Sequence, residues 1–307
     1  MSWSVSAPGK VILAGEYAVL DGGTAIVIAV DRRARAAPQA APVAPSEFVA
    51  AAAEVLRTEA GPAAAAALAT LRIDTEPLRH DGVKLGLGSS AAATVAAVGA
   101  ALHAVGQFDR ARVGALARAA HALAQGRRGA PGSGADIAAS TWGGALAFRQ
   151  AQVAPLTLPA GLALDFAWTR SAADTATLVS AIGAGAGRPG VRAALVAIAA
   201  AADDVAAADD VAAALTGFAA AATATAQLAD ATGVPLVPPA VRDLQRRVAA
   251  LGAVAKTTGA GGGDIVVVAR PPAVPRNAIA RAIVEAGLWQ LPLALDPTGV
   301  DITTGGA

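Results

Sequence analysis

The sequence contains no cysteine. This absence excludes disulfide bonds, thiolate metal ligands and a cysteine nucleophile, so any catalytic chemistry must come from other side chains. A chain without cysteine also suits a reducing compartment, because stable disulfides belong mainly to oxidising ones. With 307 residues, the chain has ample material for a buried core. We therefore expect a cytoplasmic protein that folds without covalent cross-links.

Neither sign of charge is in excess. The chain has 24 basic and 23 acidic residues, which give a formal net charge of +1, and no run of lysine or arginine interrupts this balance. Proteins that bind nucleic acid usually carry a basic patch that neutralises the phosphate backbone. We therefore expect no nucleic-acid partner.

Long uninterrupted apolar runs are also missing, although 55% of the residues are hydrophobic. Much of this fraction is alanine, which is only weakly apolar. The longest such stretch, Ala193–Ala226, is interrupted by charged residues, so we expect no membrane-spanning helix there. The first ten residues, MSWSVSAPGK, have no basic region followed by an apolar block, so we expect no signal peptide and no membrane partner. The interrupting residues are Asp203, Asp204, Asp209 and Asp210.

Two segments are low in complexity. The proline-rich run Ala36–Pro45 predicts a loop, and an alanine-rich helix is expected after it. Further along, residues 203–215 read DDVAAADDVAAAL, a near-repeat that would place acidic pairs on a helix surface. A metal site is one interpretation of this pattern. A solvent-exposed face is the favoured one, because no ligand of another type accompanies the aspartates.

Helix and strand signals are mixed along the chain. Alanine-rich segments predict helices, and short β-branched runs between them predict strands. This mixture favours an α+β fold over a doubly wound sheet. Prolines interrupt residues 150–162, so we expect two domains, 1–155 and 156–307. The predicted strands are Val11–Ala14, Ala25–Val30, Ala145–Phe148, Leu164–Trp168 and Ile265–Ala269.

The most informative segment is KLGLGSSAAATVAAVGAAL, which runs from Lys84 to Leu102. A tight glycine turn leads directly into a long helix, and small residues let backbone N–H groups converge on an anion at the positive end of the helix dipole. Ser89 and Ser90 can cap the helix while their hydroxyls reach a phosphate or a metal ion. The segment is neither a Walker A loop nor a dinucleotide fingerprint. A serine-capped helix after a turn is the alternative interpretation.

Two further segments place unusual residues beside apolar strands. In SAPGKVILAGEYAV, Lys10 lies between Gly9 and an apolar run, which suits a charge facing a cleft, although a snorkelling lysine would leave the same pattern. In AKTTGAGGGDIVVVA, residues 255–269, four glycines imply that the backbone lies close to a ligand or to another chain segment. A tight hairpin is the alternative there.

The three segments together resemble the motifs of the galactokinase, homoserine kinase, mevalonate kinase and phosphomevalonate kinase (GHMP) superfamily, in the same order and spacing. The N-terminal motif is similar to Pro8-Gly9-Lys10. The central phosphate loop, P-x-x-x-G-L-G-S-S-A, is matched from Gly86 to Ala91, but its usual proline is absent from Asp81–Leu85. The third motif, K-x-x-G-A-G-G-G-D, is matched by Lys256–Asp264. The resemblance covers almost the whole chain and is weakest from Ala36 to Arg79.

Within the superfamily the chain most resembles the phosphomevalonate kinases. The strings GEYAVLDGG, GSGADIA, TTGAGGGD and GLWQLPLALDPTGV are similar to that family. So is WTRSAADTATLV at Trp168–Val179, where Arg170 and Asp174 stand in place of the family's common glycine and serine. STWGGAL is equally similar to mevalonate kinases, but these usually carry a magnesium-binding glutamate where this chain has Gln125.

The resemblance implies a two-lobed α+β fold, with an N-terminal domain like a ribosomal-protein fold and a ferredoxin-like C-terminal domain. It implies that ATP·Mg²⁺ and a small-molecule substrate meet in the cleft between them. The implied reaction transfers the γ-phosphoryl group of ATP to 5-phosphomevalonate and gives 5-diphosphomevalonate, in the mevalonate pathway of isoprenoid biosynthesis. Mevalonate kinase and another small-molecule GHMP kinase are the alternatives, followed by a non-catalytic binding protein on the same fold.

The resemblance also implies roles for individual residues. Lys10 would offset the charge of the transferring group, with Asp136 as its partner, orienting the acceptor or acting as base. Ser90 is the expected magnesium ligand. The loop expected to bind ATP comprises Gly86, Leu87, Gly88, Ser89, Ser90, Ala91 and Ala92. The residues expected at the substrate are Lys10, Lys84, Ser133, Thr258, Gly259 and Ala260.

Other polar residues match no motif. We expect structural or surface roles for His80, His103 and His121, because none of them falls in a family motif. Arg127 and Arg128 precede the GSGAD turn and would add positive potential if they faced the cleft, or would be ordinary charges at a helix C-terminus. The sequence predicts no oligomeric state.

Overall fold

A computed structural model describes residues 2–39, 46–129 and 132–305 of the chain. Helices and strands are mixed along these ranges, as expected for the α+β class. The helices are α1 (Glu47–Glu59), α2 (Pro62–Leu68), α3 (Ser89–Ala104), α4 (Arg110–Arg127), α5 (Ala135–Trp142), α6 (Thr175–Ala184), α7 (Pro189–Ala207), α8 (Val211–Thr232), α9 (Pro239–Ala249) and α10 (Arg276–Glu285).

The strands form two larger sheets and one short pair. One sheet has the order β12-β1-β2-β6-β7, with β3 added to β2, and the other has the order β11-β8-β10-β9, while β4 pairs with β5. The strands are β1 (Trp3–Ala14), β2 (Ala25–Pro38), β3 (Leu71–Asp74), β4 (Arg79–His80), β5 (Val83–Lys84), β6 (Ala145–Arg149), β7 (Gln152–Leu156), β8 (Ala163–Trp168), β9 (Val254–Thr257), β10 (Ile265–Arg270), β11 (Trp289–Leu291) and β12 (Asp301–Thr304).

Each of the five predicted strands lies within an observed one, and two of the observed strands are much longer than predicted. β1 begins at Trp3, because residues 3–6 pair antiparallel with β12. β2 continues to Pro38, because residues 35–38 pair antiparallel with β3. The loop predicted from Ala36 is therefore wrong over its first three residues. Residues 40–45 of that loop lie outside the described ranges. The helix expected after it is α1.

The chain divides into two compact units that are both discontinuous in sequence. The first unit consists of Met1–Lys10, Ile28–Gly144 and Ala294–Ala307, and the second of Val11–Val27 and Ala145–Leu293. The predicted boundary between residues 155 and 156 assumed two continuous domains and stays a prediction. The first unit contains the phosphate-loop segment, and the second contains the glycine-rich segment 258–264.

Helix α3 lies at the centre of the first unit. All residues from Ala91 to Leu102 are buried, so this helix has no polar face. A helix that is apolar all round belongs in a core. Small side chains let its neighbours approach closely: a Cβ added at Gly99 would lie 3.1 Å from Cγ1 of Val5. The alanine-rich sequence is thus explained by close packing as well as by helix propensity.

The second unit packs helices against the four-stranded antiparallel sheet. Ala167 of β8 and Val266 of β10 contribute to a core that also contains Ile198 of α7, Leu228 of α8 and Leu244 of α9. β8 and β10 pair in register from Ile265 opposite Trp168. All residues from 265 to 269 are buried, as the continuous apolar run of β10 predicts.

The acidic near-repeat is not one continuous helix surface. α7 ends at Ala207, and the carboxylate of Asp210 caps α8 by accepting the N–H of Ala213 at 2.7 Å. Asp203 accepts the hydroxyl of Thr24 at 2.7 Å. Within the described ranges, no group of three or more His, Asp or Glu side chains is arranged to hold a metal. The repeat therefore marks a break between two helices.

Helix α8 is long and apolar enough to cross a membrane by length and composition alone. α8 begins after Asp210, so the four aspartates do not interrupt it. The expectation that they exclude a helix of membrane-spanning length in this part of the chain was therefore wrong. The most apolar window of α8 is 39% buried within the fold, and Phe218 and Leu228 are fully buried. The buried residues of α8 show that one face of the helix packs in the core of the second unit.

Candidate active site

The phosphate loop joins β5 to α3 through two left-handed glycines. Gly86 has φ 78° and Gly88 has φ 70°, a region in which residues with a side chain are strained. Between them, Leu87 is 1% exposed and anchors the loop in the core. Gly88 is the N-cap residue of α3, so the first N–H groups of the helix have no partner within it. This arrangement fits an anion at the helix N-terminus.

Lys10 lies directly against this loop. Its backbone N–H donates to the carbonyl of Leu87 at 2.9 Å. A Cβ at Gly88 would lie 3.0 Å from both Cγ and Cε of the Lys10 side chain, and a Cβ at Gly9 would lie 2.8 Å from the oxygen of Leu87. The structure therefore brings the first two motifs into contact, and two glycines make the contact possible.

Asp136 is held next to the same strand by α5. The helix starts after Gly134, which has φ 86°, and the buried hydroxyl of Ser140 donates to the carbonyl of Pro8 at 2.8 Å. Oδ1 of Asp136 accepts the N–H of Ile137 at 2.9 Å. Oδ2 of Asp136 lies 3.9 Å from Nε2 of His121, and its expected role as the partner of Lys10 stays a prediction.

His121, for which we expected a structural or surface role, contacts Ser90 and lies beside Asp136. Its side chain is 2% exposed, and its Nε2 lies 3.2 Å from the hydroxyl oxygen of Ser90. The imidazole stacks on the ring of Phe48 with 4.8 Å between centroids. His103, by contrast, packs edge-on against Trp3, as expected for a structural histidine.

Gln125 follows His121 by one helical turn. Its spacing of four residues from His121 places both on one face of α4, which is the sequence signal that could have pointed to His121. A Cβ at Gly132 would lie 1.9 Å from the side-chain oxygen of Gln125, so this amide fills the space beside the GSGAD turn. Nearby, the hydroxyl of Ser133 accepts the N–H of Ala135 at 3.2 Å.

The residues around Ser90 suit magnesium. The side chains of Ser90 and Asp136, which both lie near Nε2 of His121, offer oxygen ligands, and Mg²⁺ prefers hard oxygen ligands. Magnesium in kinase sites is usually held by one or two carboxylates together with the substrate phosphates and water, so a cage of protein carboxylates is not required. The donor set therefore fits the expected ion.

Three basic side chains that could contact an anionic substrate differ in how far other residues already occupy them. Lys84 is exposed at the end of β5, opposite Arg79 in the short hairpin. Arg127 forms two hydrogen bonds with Glu54, at 2.9 and 2.7 Å. Arg128 lies 5.7 Å from the centre of the Phe48 ring. Both arginines thus contact α1. This favours their interpretation as charges at a helix C-terminus over a role in binding substrate.

The third motif begins with a buried ion pair in the second unit. Lys256 is 1% exposed, and its ammonium donates to the carboxylate of Glu16 and to the carbonyl of Thr257. The hydroxyl of Tyr17 donates to the carbonyl of Ala260 at 2.5 Å. Burial, and then the nearby charge of Glu16, raises the pKa of the Tyr17 hydroxyl, so it stays a donor. Glu16 and Tyr17, which follow the first motif in the chain, thus contact the third motif within this unit.

The glycines of the third motif make close contacts with other chain segments. Added Cβ atoms would lie 2.7 Å from the carbonyl oxygen of Leu236 at Gly261, and 2.6 Å from that of Ser171 at Gly263. The hydroxyl of Thr258 donates to the carbonyl of Ile265 at 3.0 Å. Packing within the unit therefore explains part of the glycine pattern, and substrate contacts of Thr258, Gly259 and Ala260 stay predictions.

The two departures from the family pattern at 170 and 174 keep their local roles. Arg170 has φ 61°, the left-handed conformation that suits the family's glycine, and its guanidinium lies over the ring of Trp289 at 5.8 Å. Asp174 is the N-cap of α6 and accepts the N–H of Thr177 at 3.2 Å, a role that serine also performs.

Comparisons with known proteins show the family. Residues 47–144 match the family model described as the GHMP kinases N terminal domain. The phosphomevalonate kinase of Streptomyces sp. (strain CL190) is 30% identical, and the match covers 84% of this chain and 87% of that protein. The chain belongs to the GHMP kinase family, and its curated relative is a phosphomevalonate kinase.

Solved structures show the same fold. A Lin0012 protein from Listeria innocua matches with a TM-score of 0.85 and 23% identity, covering 99% of this chain and all of that one. The Streptococcus pneumoniae phosphomevalonate kinase in complex with phosphomevalonate and AMPPNP matches with a TM-score of 0.79 and 19% identity, covering 95% and 99%. The Methanococcus jannaschii mevalonate kinase has a TM-score of 0.71 and 15% identity, covering 95% and 98%. The predicted GHMP kinase fold is confirmed.

Proposed function

We propose that the protein transfers the γ-phosphoryl group of ATP to 5-phosphomevalonate, giving 5-diphosphomevalonate in the mevalonate pathway. The observation that carries this proposal is the contact of Lys10 with a glycine loop at the N-terminus of α3, in the same unit as Ser90 and Asp136. The choice of substrate is supported by the phosphomevalonate kinase that is 30% identical over most of the chain.

ATP binding follows from the helix N-terminus. The backbone N–H groups at Ser89, Ser90 and Ala91 are the donors available to phosphate oxygens, and the helix dipole adds positive potential there. A nucleotide analogue in the Streptococcus pneumoniae structure supports a nucleotide site on this fold. Ser90 would hold Mg²⁺, which offsets the negative charge of the phosphates when it is bound.

Lys10 supplies a fixed positive charge beside the loop. Phosphoryl transfer places charge on the equatorial oxygens of the transferring group, and catalysis depends mainly on alignment and on stabilising that charge. The contact with Gly88 keeps the Lys10 side chain along the phosphate loop. This geometry suits charge stabilisation better than a structural role.

Asp136 orients the acceptor more than it removes a proton. A phosphate acceptor is already largely ionised at neutral pH, with a second pKa of about 6. A strong base is therefore less necessary than for a hydroxyl acceptor such as mevalonate. The side chain of Asp136 is 20% exposed, so it can contact a bound substrate.

The phosphate of the acceptor requires donors beyond those that bind ATP. Lys84 is exposed immediately before the phosphate loop and is the cationic side chain that we assign to it. Ser133 and the backbone of Thr258, Gly259 and Ala260 are further candidates. A cytoplasmic location is part of the same proposal, since the substrates ATP and phosphomevalonate are soluble metabolites.

A coupled assay of ADP release tests the proposal. Purified protein is given ATP, Mg²⁺ and, separately, 5-phosphomevalonate, mevalonate or homoserine, and kcat/KM is compared. We expect the highest value with 5-phosphomevalonate. A higher value with mevalonate would instead favour the mevalonate kinase alternative. Nucleotide binding without turnover of any acceptor would favour a binding protein on this fold.

A further inference from the structure

A single ring nitrogen of His121 faces two residues of the candidate site. Nε2 lies 3.2 Å from Oγ of Ser90 and 3.9 Å from Oδ2 of Asp136. The three side chains come from three different helices, α4, α3 and α5. The first distance is that of a hydrogen bond, and the second is too long for one. The imidazole is thus bonded to the expected magnesium ligand and lies beside the expected acceptor-orienting carboxylate.

Residues of α1 and α3 hold the His121 imidazole in place. Phe48 of α1 stacks on the ring with an interplanar angle of 26°. On Phe48 lies the guanidinium of Arg128, and the pair Arg127–Glu54 joins α1 to α4 again. The backbone of Ser90 is held by Thr94, whose hydroxyl donates to its carbonyl at 2.8 Å. These contacts leave the hydroxyl of Ser90 free to rotate about its Cβ–Oγ bond.

We propose that His121 is a positioning residue that fixes the Ser90 hydroxyl for Mg²⁺·ATP. A serine hydroxyl has one proton and two lone pairs, and a bond to Nε2 in either tautomer commits one of them to the imidazole. If the hydroxyl donates to Nε2, both lone pairs remain, and if it accepts from Nε2–H, one remains; in either case the bond to the imidazole sets the direction in which a lone pair faces a metal or phosphate. Groups that orient a metal ligand in this way strongly affect affinity and activity. This inference rests on the proposed function, in which Ser90 contacts Mg²⁺.

Packing alone does not account for a histidine at this position. A buried polar ring is costly unless its nitrogens are bonded, and phenylalanine or leucine would fill the space beside Phe48 without that cost. No side chain caps the N-terminus of α3, so the hydrogen bond between Ser90 and His121 is not needed to begin the helix. The pair is therefore more useful for orientation than for folding.

The first test is a double-mutant cycle on turnover. The variants are H121L, S90A and the double variant, with H103L as a matched control, since His103 is a structural histidine on α3. We expect H121L to lower kcat/KM by about tenfold to a hundredfold. In the S90A background, H121L should change kcat/KM by less than about threefold, because the residue acts through Ser90. An equal loss in both backgrounds would overturn the proposal.

Rescue by glutamine separates orientation from packing. The amide of H121Q can donate to or accept from Ser90, so kcat/KM should recover to within about fivefold of wild type, as expected for a variant that keeps one neutral hydrogen bond. Leucine and glutamine remove the same imidazole, so a purely structural role would affect both. Equal damage by H121L and H121Q, with unchanged melting temperatures, would contradict the proposal.

Nucleotide binding gives a readout that needs no acceptor. Calorimetric titration of ADP at a series of Mg²⁺ concentrations should show that H121L needs about tenfold or more Mg²⁺ for half-maximal binding, while H103L behaves as wild type. An unchanged Mg²⁺ requirement in H121L would refute the positioning role. If that requirement shifts but 5-phosphomevalonate is not phosphorylated, the proposed function fails and the positioning role stands.

A measurement on the wild-type protein covers the case in which H121L does not fold. The chain has three histidines, so the ring nitrogen signals of His80, His103 and His121 can be assigned by nuclear magnetic resonance. Adding Mg²⁺·ADP should shift the Nε2 signal of His121 and leave that of His103 unchanged. No shift at His121 in the saturated complex would contradict the proposal.

Discussion

Gly88 can be used to move Lys10 without changing its charge. Gly88 has φ 70°, and an added Cβ would lie 3.0 Å from both Cγ and Cε of Lys10. This spacing is shorter than the optimal separation of about 3.5–4.0 Å between carbon atoms. G88A should therefore displace the Lys10 side chain from the phosphate loop. The left-handed backbone adds a cost of about 1–2 kcal/mol to folding.

Gly106 provides a matched control for the backbone cost. It also has φ 70°, it follows α3 at the opposite end, and an added Cβ would meet no atom within 4 Å. G106A should therefore lose about the same 1–2 kcal/mol of stability. It should not change the position of Lys10. The difference between G88A and G106A therefore removes the backbone cost and leaves the effect at the phosphate loop, which includes the contact with Lys10.

The expected loss of activity follows from the role of Lys10. Removing one preorganised electrostatic contact typically costs about 3 kcal/mol, which is roughly a hundredfold in rate. A displaced lysine keeps part of that effect, so we expect G88A to lower kcat by about tenfold to a hundredfold. The assay is ADP release with saturating substrates, together with melting temperatures. Equal kcat values for G88A and G106A would refute the argument.

Three further changes test other contacts. K10M should lower kcat by about a hundredfold or more with little change in melting temperature; near-normal turnover would show that its role is misassigned. K84A should raise the KM for 5-phosphomevalonate by about tenfold to a hundredfold, since a charged hydrogen bond contributes about 1.5–3 kcal/mol; a matching rise in the KM for ATP would argue against a substrate contact. E16A should destabilise the protein by about 3–5 kcal/mol in urea unfolding, because it leaves Lys256 buried without its partner; E16A/K256M should lose less, and an additive loss would contradict this.

Short-range patterns explain what the sequence predicted correctly. The strands, the phosphate loop and α3 each depend on residues close together in the chain: β-branched runs, two glycines and a series of alanines. The three family motifs are of the same kind. The contact between Lys10 and Leu87 was not visible locally, but the family resemblance placed Lys10 and the loop together at the phosphates of ATP.

The missed features depend on residues far apart in sequence. His121 contacts Ser90 and lies beside Asp136 because α4 packs against both α3 and α5, and within its own segment only its spacing from Gln125 distinguishes it from a core histidine. The interpretation of Arg127 depended on Glu54, which lies 73 positions earlier in the chain. Pairings across such separations carry no local signal.

Long-range pairing also explains the errors in the fold. β1 begins earlier than expected because β12, at the other end of the chain, pairs with its first residues. The loop predicted at Ala36–Pro38 is a strand because β3 pairs with it. Proline at position 38 is compatible with a strand end, where no ladder hydrogen bond from its nitrogen is needed.

A competition experiment tests the central claim most directly. The purified protein is given ATP and Mg²⁺ with 5-phosphomevalonate and mevalonate together at equal low concentrations, and the products are identified by phosphorus nuclear magnetic resonance. The account predicts that diphosphate signals of 5-diphosphomevalonate appear first, while mevalonate is not consumed. Growth of the 5-phosphomevalonate signal as mevalonate is consumed, before 5-diphosphomevalonate is formed, would contradict it.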